Sequence, residues 1–599
     1  MLNKKKTIDT LFLSIRKLSV FSVYGSIAAL IICISLTGCG SQEKVVSPVM
    51  TSDFVDKDMG EPGVWLETPH NFIPTPGDTL TECVLTDPDF LNPVISLRES
   101  AKKAEELLFD TILQYDEDLK ITPSASESWT FSKEGLTITF ILRDDIFFHP
   151  VLKNDKIIIP AQKATARDVK FTVDQILLPE NRSPYRSFFS NLESLRVFDD
   201  RTFQVEYRDI RGTNLTAWTT VPILPQHIYG KISPLYKSPY LDTPVGSGPF
   251  MFSSWIRGKE LTLVKWERYW EGAPLLNSYV MKVIPDKSYQ YQLLLQQKID
   301  VMELTLEQFT QLAESDTFSK NYRKIALYSK SYEYVGYNLV QGPEFFTDPE
   351  VRRAMTMAID RDRLIRTVYK GMASKITGPT HIYSWGYDNY IEPLPYDPEQ
   401  AIAILEKQGW EAMDPDNVRY KIIGGKKIRL DFKLMTHAEN NLRREFVQMI
   451  REDLQKVGFL VRPWIIDNWE LLVKKFLIPK KFDAYVLGWD LGNEPDIFSV
   501  WHSSESKFGL NHIGFTDRDV DGWLEKFRDT TDQKERQIGS WRIHKLIHEK
   551  QPYTFLLSPR KLIAVHRRFK NLRVSKTAYS LFPLNYRQWF AIQDEKSKK

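Results

Sequence analysis

Apolar positions recur with a period of two in some stretches of this chain and with a helical period in others, and the two kinds interleave along most of its length. In LTITFILRDDIFFH, residues Leu136, Ile138, Phe140 and Leu142 fall on one face, which predicts a half-buried strand. FDAYVLGW reads the same way: Phe482, Ala484, Val486 and Gly488 alternate with Asp483, Tyr485, Leu487 and Trp489. TARDVKFTVDQIL predicts a helix, because Thr165 and Asp168 have capping-box spacing and Val169, Val173 and Ile176 share a face. DPEVRRAMTMAIDRDRLIRTVYKG predicts one continuous helix, capped by Asp348, with Pro349 in its first turn and Gly371 as its stop. Its inward face would carry Val351, Met355, Ala358 and Ile359. DPEQAIAILEKQGW repeats the pattern at Asp397, Pro398 and Gly409. No internal repeat stands out, so the fold class is mixed α/β, built from several βα units in more than one domain.

The N-terminal pattern differs. Lys4 to Lys6, Arg16 and Lys17 precede an apolar run from about Leu18 to Leu36, which ends in Leu36-Thr37-Gly38-Cys39. A membrane-spanning anchor is one reading of such a run. Small residues leading into a cysteine favour the other, a lipoprotein export signal over residues 1–38 with lipid attached at Cys39. Residues 39–76 lack periodicity and carry several prolines, so they read as a tether, with some ordered docking around Trp65.

Composition narrows the function classes. Lys and Arg total 80 against 77 Asp and Glu, a net charge of +3, and five of the basic residues lie in the leader, so the body offers no basic excess for a nucleic acid. Three cysteines are too few for a disulfide framework, and Cys83 reads as a small buried hydrophobe. DRDVDG, from Asp517, imitates the start of a calcium loop, but Arg528 occupies the place of the bidentate Glu. His544 and His548 have zinc-motif spacing, but Lys545 stands where the catalytic Glu would be. TPVGSGPF lacks the Lys-Ser/Thr of a phosphate loop and reads as a tight turn in which Gly246 and Gly248 allow positive φ. No cofactor, metal site or enzymatic motif is expected; a hydrolase assembled from distant residues and a surface adhesin or sensor remain as alternatives.

Several motifs in order resemble bacterial extracellular solute-binding protein family 5, the oligopeptide- and dipeptide-binding components of ABC importers. They include DPDFLNP, LFDTILQYDEDLKITPSASESW, TARDVKFT, ILPQHIY, TPVGSGPFMF, ERYWEG, VGYNLV, DPEVRRAM, YDPEQAIAILEKQGW and FDAYVLGWDLGNEPDIFSVWHSS. The resemblance implies a two-lobed periplasmic-binding-protein fold of the large three-domain type, with a ligand cleft between the lobes. It places a first lobe over 77–334 with a small inserted domain over roughly 108–240, a second lobe over 335–556, and a return segment over 557–599. Hinges are expected near Val335 to Tyr337 and Leu557 to Ala564. The implied function is a monomeric, exported, lipid-anchored protein facing the periplasm or cell surface. It would capture a peptide or peptide-like solute and pass it to permease subunits with their ATPases. A metal chelate, a sugar or a modified amino acid is the alternative solute. The ligand-binding set expected is Asn338, Gly488, Trp489, Asp490, Glu494, Asp496 and Trp501. In many members an aspartate three residues after the tryptophan holds the ligand's amino group; that position is Gly492 here, which turns attention to Asp490. Asp496 fits a helix cap as well as a ligand contact, Trp501 fits core packing, and Asn338 fits a backbone-satisfying role.

Overall fold

A computed structural model describes residues 76–592, apart from 155, 578 and 583–585, together with Gly63, Leu66 and Pro74. The expected export signal, Cys39, Trp65 and most of the tether lie outside the described residues. Among the described residues no helix is long and apolar enough to cross a membrane.

The predicted helices begin where their caps placed them. The helix Ala166–Leu177 starts after Thr165, whose backbone N–H and hydroxyl both donate to Asp168 Oδ2 at 2.8 Å. Asp397 accepts from Gln400 N at the start of Pro398–Lys407, and Gly409 ends that helix at φ +81°, a conformation costly for any residue with a Cβ. The helix expected from Asp348 to Gly371 is instead two. Pro349–Ala358 ends at Ile359, and Asp360 becomes a second cap, accepting from Arg363 N at 2.8 Å to open Arg361–Thr367. The backbone N–H of Asp360 is meanwhile taken by Asp453 Oδ2 at 3.1 Å.

A 12-stranded sheet organises the body. One half runs through strands Phe250–Ile256, Glu260–Lys265, Ser278–Val283, Thr79–Val84 and Val301–Glu303 to the long strand Tyr553–His566. The other half continues from that strand through Ser331–Tyr337, Ala484–Asp490, Asp431–His437 and Leu460–Ile466. Tyr553–His566 serves both halves. Its Arg560–His566 part pairs antiparallel with Tyr322–Tyr328, and its Tyr553–Leu557 part pairs with Ser331–Tyr337. The ladder therefore changes halves at Ser329–Lys330 and Ser558–Pro559, and the Ser558 hydroxyl donates to Ser331 O at 2.7 Å across that junction. Val335 to Tyr337, expected at the crossing, lie inside a strand bonded along its length to Ala484–Asp490. A separate four-stranded sheet, in the order Ser126–Phe131, Thr137–Leu142, Thr202–Tyr207, Leu192–Val197, buries Ile138, Phe140 and Leu142.

TPVGSGPF is a turn for a different reason from the one expected. Neither Gly246 nor Gly248 has positive φ. A Cβ on Gly246 would lie 1.9 Å from Leu108 O, and one on Gly248 would lie 2.5 Å from Leu107 O. The loop presses its backbone onto the end of helix Glu99–Leu108, and Gly248 N donates to Leu108 O at 2.9 Å. Gly246→Ala should therefore lower stability by about 1–3 kcal/mol, read as a lower urea midpoint. The control is Gly522→Ala in helix Arg518–Asp529, where nothing lies within 4 Å of the added Cβ; it should be neutral or stabilising. Equal midpoints for the two variants would show that the loop yields.

Candidate functional site

Strand Ala484–Asp490 is central, and both its faces are buried. Tyr485 and Leu487 join one core cluster, and Ala484 and Val486 join another. On one edge it pairs with Ser331–Tyr337 over its whole length, Ser331 opposite Asp490 and Tyr337 opposite Ala484. Leu491 N donates to Lys330 O and Asn338 N to Asp483 O, so the odd-numbered residues face that partner. By the alternation of an antiparallel ladder, the N–H and C=O of Val486, Gly488 and Asp490 face the other edge. There the parallel partner Asp431–His437 reaches only Ala484 and Tyr485, and Thr436 Oγ1 caps Val486 O at 3.0 Å. Beyond that point no described residue bonds to the main chain of Gly488 or Asp490 on that side.

Two cavities meet at the open end of this strand, and Trp489 lines both. The larger, about 490 Å³, is walled by Tyr334, Leu487, Trp489, Val473 and Leu477, with Lys480 and His512 among its polar members. Tyr334, Trp489 and His512 present nearly parallel rings, with centroids 6.4 and 6.3 Å apart. The smaller, about 160 Å³, holds Asp490, Gly492, Glu494, Asp496 and His381. Gly488 touches the larger cavity with its backbone only. A Cβ there would lie 2.5 Å from Arg443 Nη2, because the buried Arg443–Glu333 ion pair fills the space, at 2.7 and 2.9 Å.

The acids differ in freedom. Asp496 accepts from Arg528 Nε at 2.8 Å and from Phe498 N at 3.1 Å, so it is at once an ion-pair partner and a cap. Glu494 pairs with Arg536, and burial still pushes its carboxyl up to about 7. Asp490 is exposed, and its carboxylate has no hydrogen-bond or ion-pair partner among the described residues. His381 is held down to about 3 by burial and by Lys330, so its ring is neutral.

The structure gathers Gly488, Trp489, Asp490, Glu494 and Asp496 at this place and leaves two expected residues out. Trp501 is 1% exposed and packs on Tyr553 at 4.5 Å, behind the site. Asn338 donates to Lys480 O and Phe482 O at 2.8 and 2.7 Å and accepts from Val340 N and Gln341 N. It ties the loop before the strand and lines neither cavity. The His544 and His548 rings are likewise internal ties, bonded to Thr377. Burial raises the Cys83 thiol to about 12, and Asp517 caps helix Arg518–Asp529. The segment from Trp469 to Ile478, a main wall of the larger cavity, was not foreseen; its signal is the apolar spacing of Trp469, Val473 and Leu477 just before FDAYVLGW.

The profile described as bacterial extracellular solute-binding proteins, family 5, matches residues 120–509, well over half of the chain. This chain belongs to that family. The family 5 protein is 29% identical over 500 residues to the oligopeptide-binding protein AppA of Bacillus subtilis, across 82% of this chain and 88% of AppA. It is 23% identical over 498 residues to heme-binding protein A of Haemophilus influenzae, across 80% and 86%. The structure of the B. subtilis oligopeptide-binding protein AppA in complex with a nonapeptide matches it at a TM-score of 0.66 and 27% identity, covering 87% of this chain and all of that one. The family 5 protein thus has the expected two-lobed α/β fold, and the members of its family are solute-binding proteins rather than enzymes.

Proposed function

We propose that this protein captures peptides in the cleft between its lobes and delivers them to the permease of an ABC importer. The observation that carries this reading is the open main-chain edge at Gly488 and Asp490, beside two cavities. An extended peptide completes such an edge with its own N–H and C=O groups, whatever its side chains, and side-chain cavities then set preference. A sugar or a planar macrocycle has no such ladder to offer. AppA and its bound nonapeptide support the same solute class. Asp490 is the free carboxylate positioned for the solute's ammonium end, and Trp489, Glu494 and Asp496 shape the adjoining cavity. The junctions at Ser329–Lys330 and Ser558–Pro559 would serve as hinges for lobe closure. The basic, apolar and small-residue order of residues 1–39 supports export and a lipid anchor at Cys39, facing the periplasm or cell surface.

The test is a melting-temperature and calorimetric screen of the full chain with a mixed pool of two- to nine-residue peptides. Bound members should raise the melting temperature, and methylating the backbone nitrogens that meet the open edge should weaken them about tenfold or more. N-acetylation should weaken binding to the native protein, and much less so to Asp490→Asn. A pool that never raises the melting temperature, while a sugar or metal chelate does, would sink the peptide reading.

A further inference from the structure

The larger cavity has a chemistry of its own. Its far wall is the short helix Trp469–Leu472, which runs into a π-turn, Val473–Leu477, where Ile478 N donates to Val473 O at 3.0 Å and Lys481 N to Phe476 O at 2.8 Å. Such turns are rare and cluster at functional sites. Here the widened turn carries Trp469, Val473, Leu477 and Ile478 together into the lining. Opposite them stand Leu487, Tyr334, Trp489 and His512; the Tyr334 ring is buried and stacked on Tyr553 at 3.9 Å, so Trp489 and His512 are the aromatic partners for an entering ring. The mouth is apolar as well: Trp469 is 46% exposed, Ile478 59% and Leu510 42%. Exposed apolar groups around a concave apolar cavity mark a binding surface rather than ordinary scatter.

Charge gives the preference a sign. Among the described residues no carboxylate lines this cavity, whereas Lys480 and Lys507 do. The Lys480 ammonium donates to Asn511 O and His512 O at 2.7 and 3.0 Å, which anchors the loop bearing His512. Burial and Lys480 hold His512 down to about 4, so its ring stacks as a neutral heterocycle near neutral pH. The Glu333 carboxylate behind Gly488 is spent on Arg443. A cationic side chain would lose its water here and meet the Lys480 ammonium, with no carboxylate among the described lining residues to offset either cost.

We infer that the 490 Å³ cavity is a specificity site that takes one large apolar side chain of the bound peptide, aromatic before aliphatic, and rejects lysine and arginine. This rests on the peptide reading above. The site lies beside the main-chain groups of Gly488, so the side chain it takes belongs to a peptide residue paired near that glycine.

The test uses pentapeptides with an alanine host and one residue varied through Phe, Leu, Ala, Glu and Lys at each position, with affinity measured by calorimetry on the full chain. At one position Phe should bind at least about tenfold tighter than Ala, as burial of a phenyl ring implies, with Leu between them and Lys weakest. Val473→Trp, which fills the cavity, should remove the Phe advantage, bringing the Phe and Ala peptides within about twofold of each other. Ile478→Glu, at an exposed rim position that tolerates substitution, should raise the affinity of the Lys peptide at least about fivefold. The inference is overturned if Phe and Lys peptides bind within twofold at every position, or if Val473→Trp keeps the preference; peptide capture itself then stands. Binding of neither this series nor the mixed pool would remove peptide capture and this inference together.

Discussion

Arg443→Met is expected to cost about 3–5 kcal/mol of stability, among the largest effects of any single substitution in this protein. Arg443 reaches Glu333 through Nε and Nη2 at 2.7 and 2.9 Å, and Glu333 is only 7% exposed. Glu333 also sits on strand Ser331–Tyr337, between Ala484–Asp490 and the shared strand Tyr553–His566, opposite both Gly488 and Leu557. Removing the guanidinium leaves a carboxylate without water or partner, which is far costlier than removing both charges. The double variant Glu333→Met/Arg443→Met should therefore recover most of the loss. Urea midpoints for the two singles and the double close the cycle. If the double variant is as unstable as Arg443→Met, packing rather than the orphaned charge is the cause.

The second large effect is on pH. His149 and His512 are held down to about 4, and His381 and His544 to about 3, chiefly by burial. An unfolded imidazole titrates near 6.5, so each of the four adds stability that is present above that pH and is lost as pH falls toward the folded value. Acids raised by burial work the other way, Glu106 and Asp300 among them. Burial raises Glu105 and Glu494 to about 7 and Asp110 to about 6, so their contribution is complete below the ordinary carboxylate range and fades as pH rises through 6 to 7. At pH 5 the histidines win: unfolding takes up roughly one proton more than it releases, a slope of about 1–2 kcal/mol per pH unit. Stability should be greatest near pH 7 and fall by about 3 kcal/mol by pH 4.5. Urea midpoints at pH 7, 6, 5 and 4.5 measure this, and an unchanged midpoint at pH 5 would show that the histidines are not held neutral in the fold.

Local signals carried the fold a long way and the site only part of it. Thr165–Asp168, Asp348–Pro349 and Asp397–Pro398 announced their helices because a cap is chemistry within four residues. Asp360 hid as a second cap inside a helical pattern, since its backbone N–H is taken by Asp453, ninety-three positions away. Gly246 and Gly248 looked like turn glycines, yet the reason for them is the carbonyls of Leu107 and Leu108. FDAYVLGW read correctly as a strand, but its open edge depends on where Asp431–His437 stops pairing, and nothing local encodes that. Asp490 reads as the ligand candidate and Asp496 as either a cap or a ligand contact; what the sequence did not announce is Arg528, thirty-two residues on, which pairs with the Asp496 carboxylate.

The strand Tyr553–His566 also governs when the molecule can fold. It lies between the halves of the large sheet, so neither half can complete its hydrogen-bonded ladder until the ribosome has made nearly the whole chain. Closing contacts across hundreds of residues is slow, because loop entropy must be overcome before those contacts stabilise anything. A keystone that arrives this late leaves the large sheet open for most of synthesis. Family 5 is an extracellular family, and a large sheet that closes only when Tyr553–His566 is present suits proteins that cross a membrane before they fold.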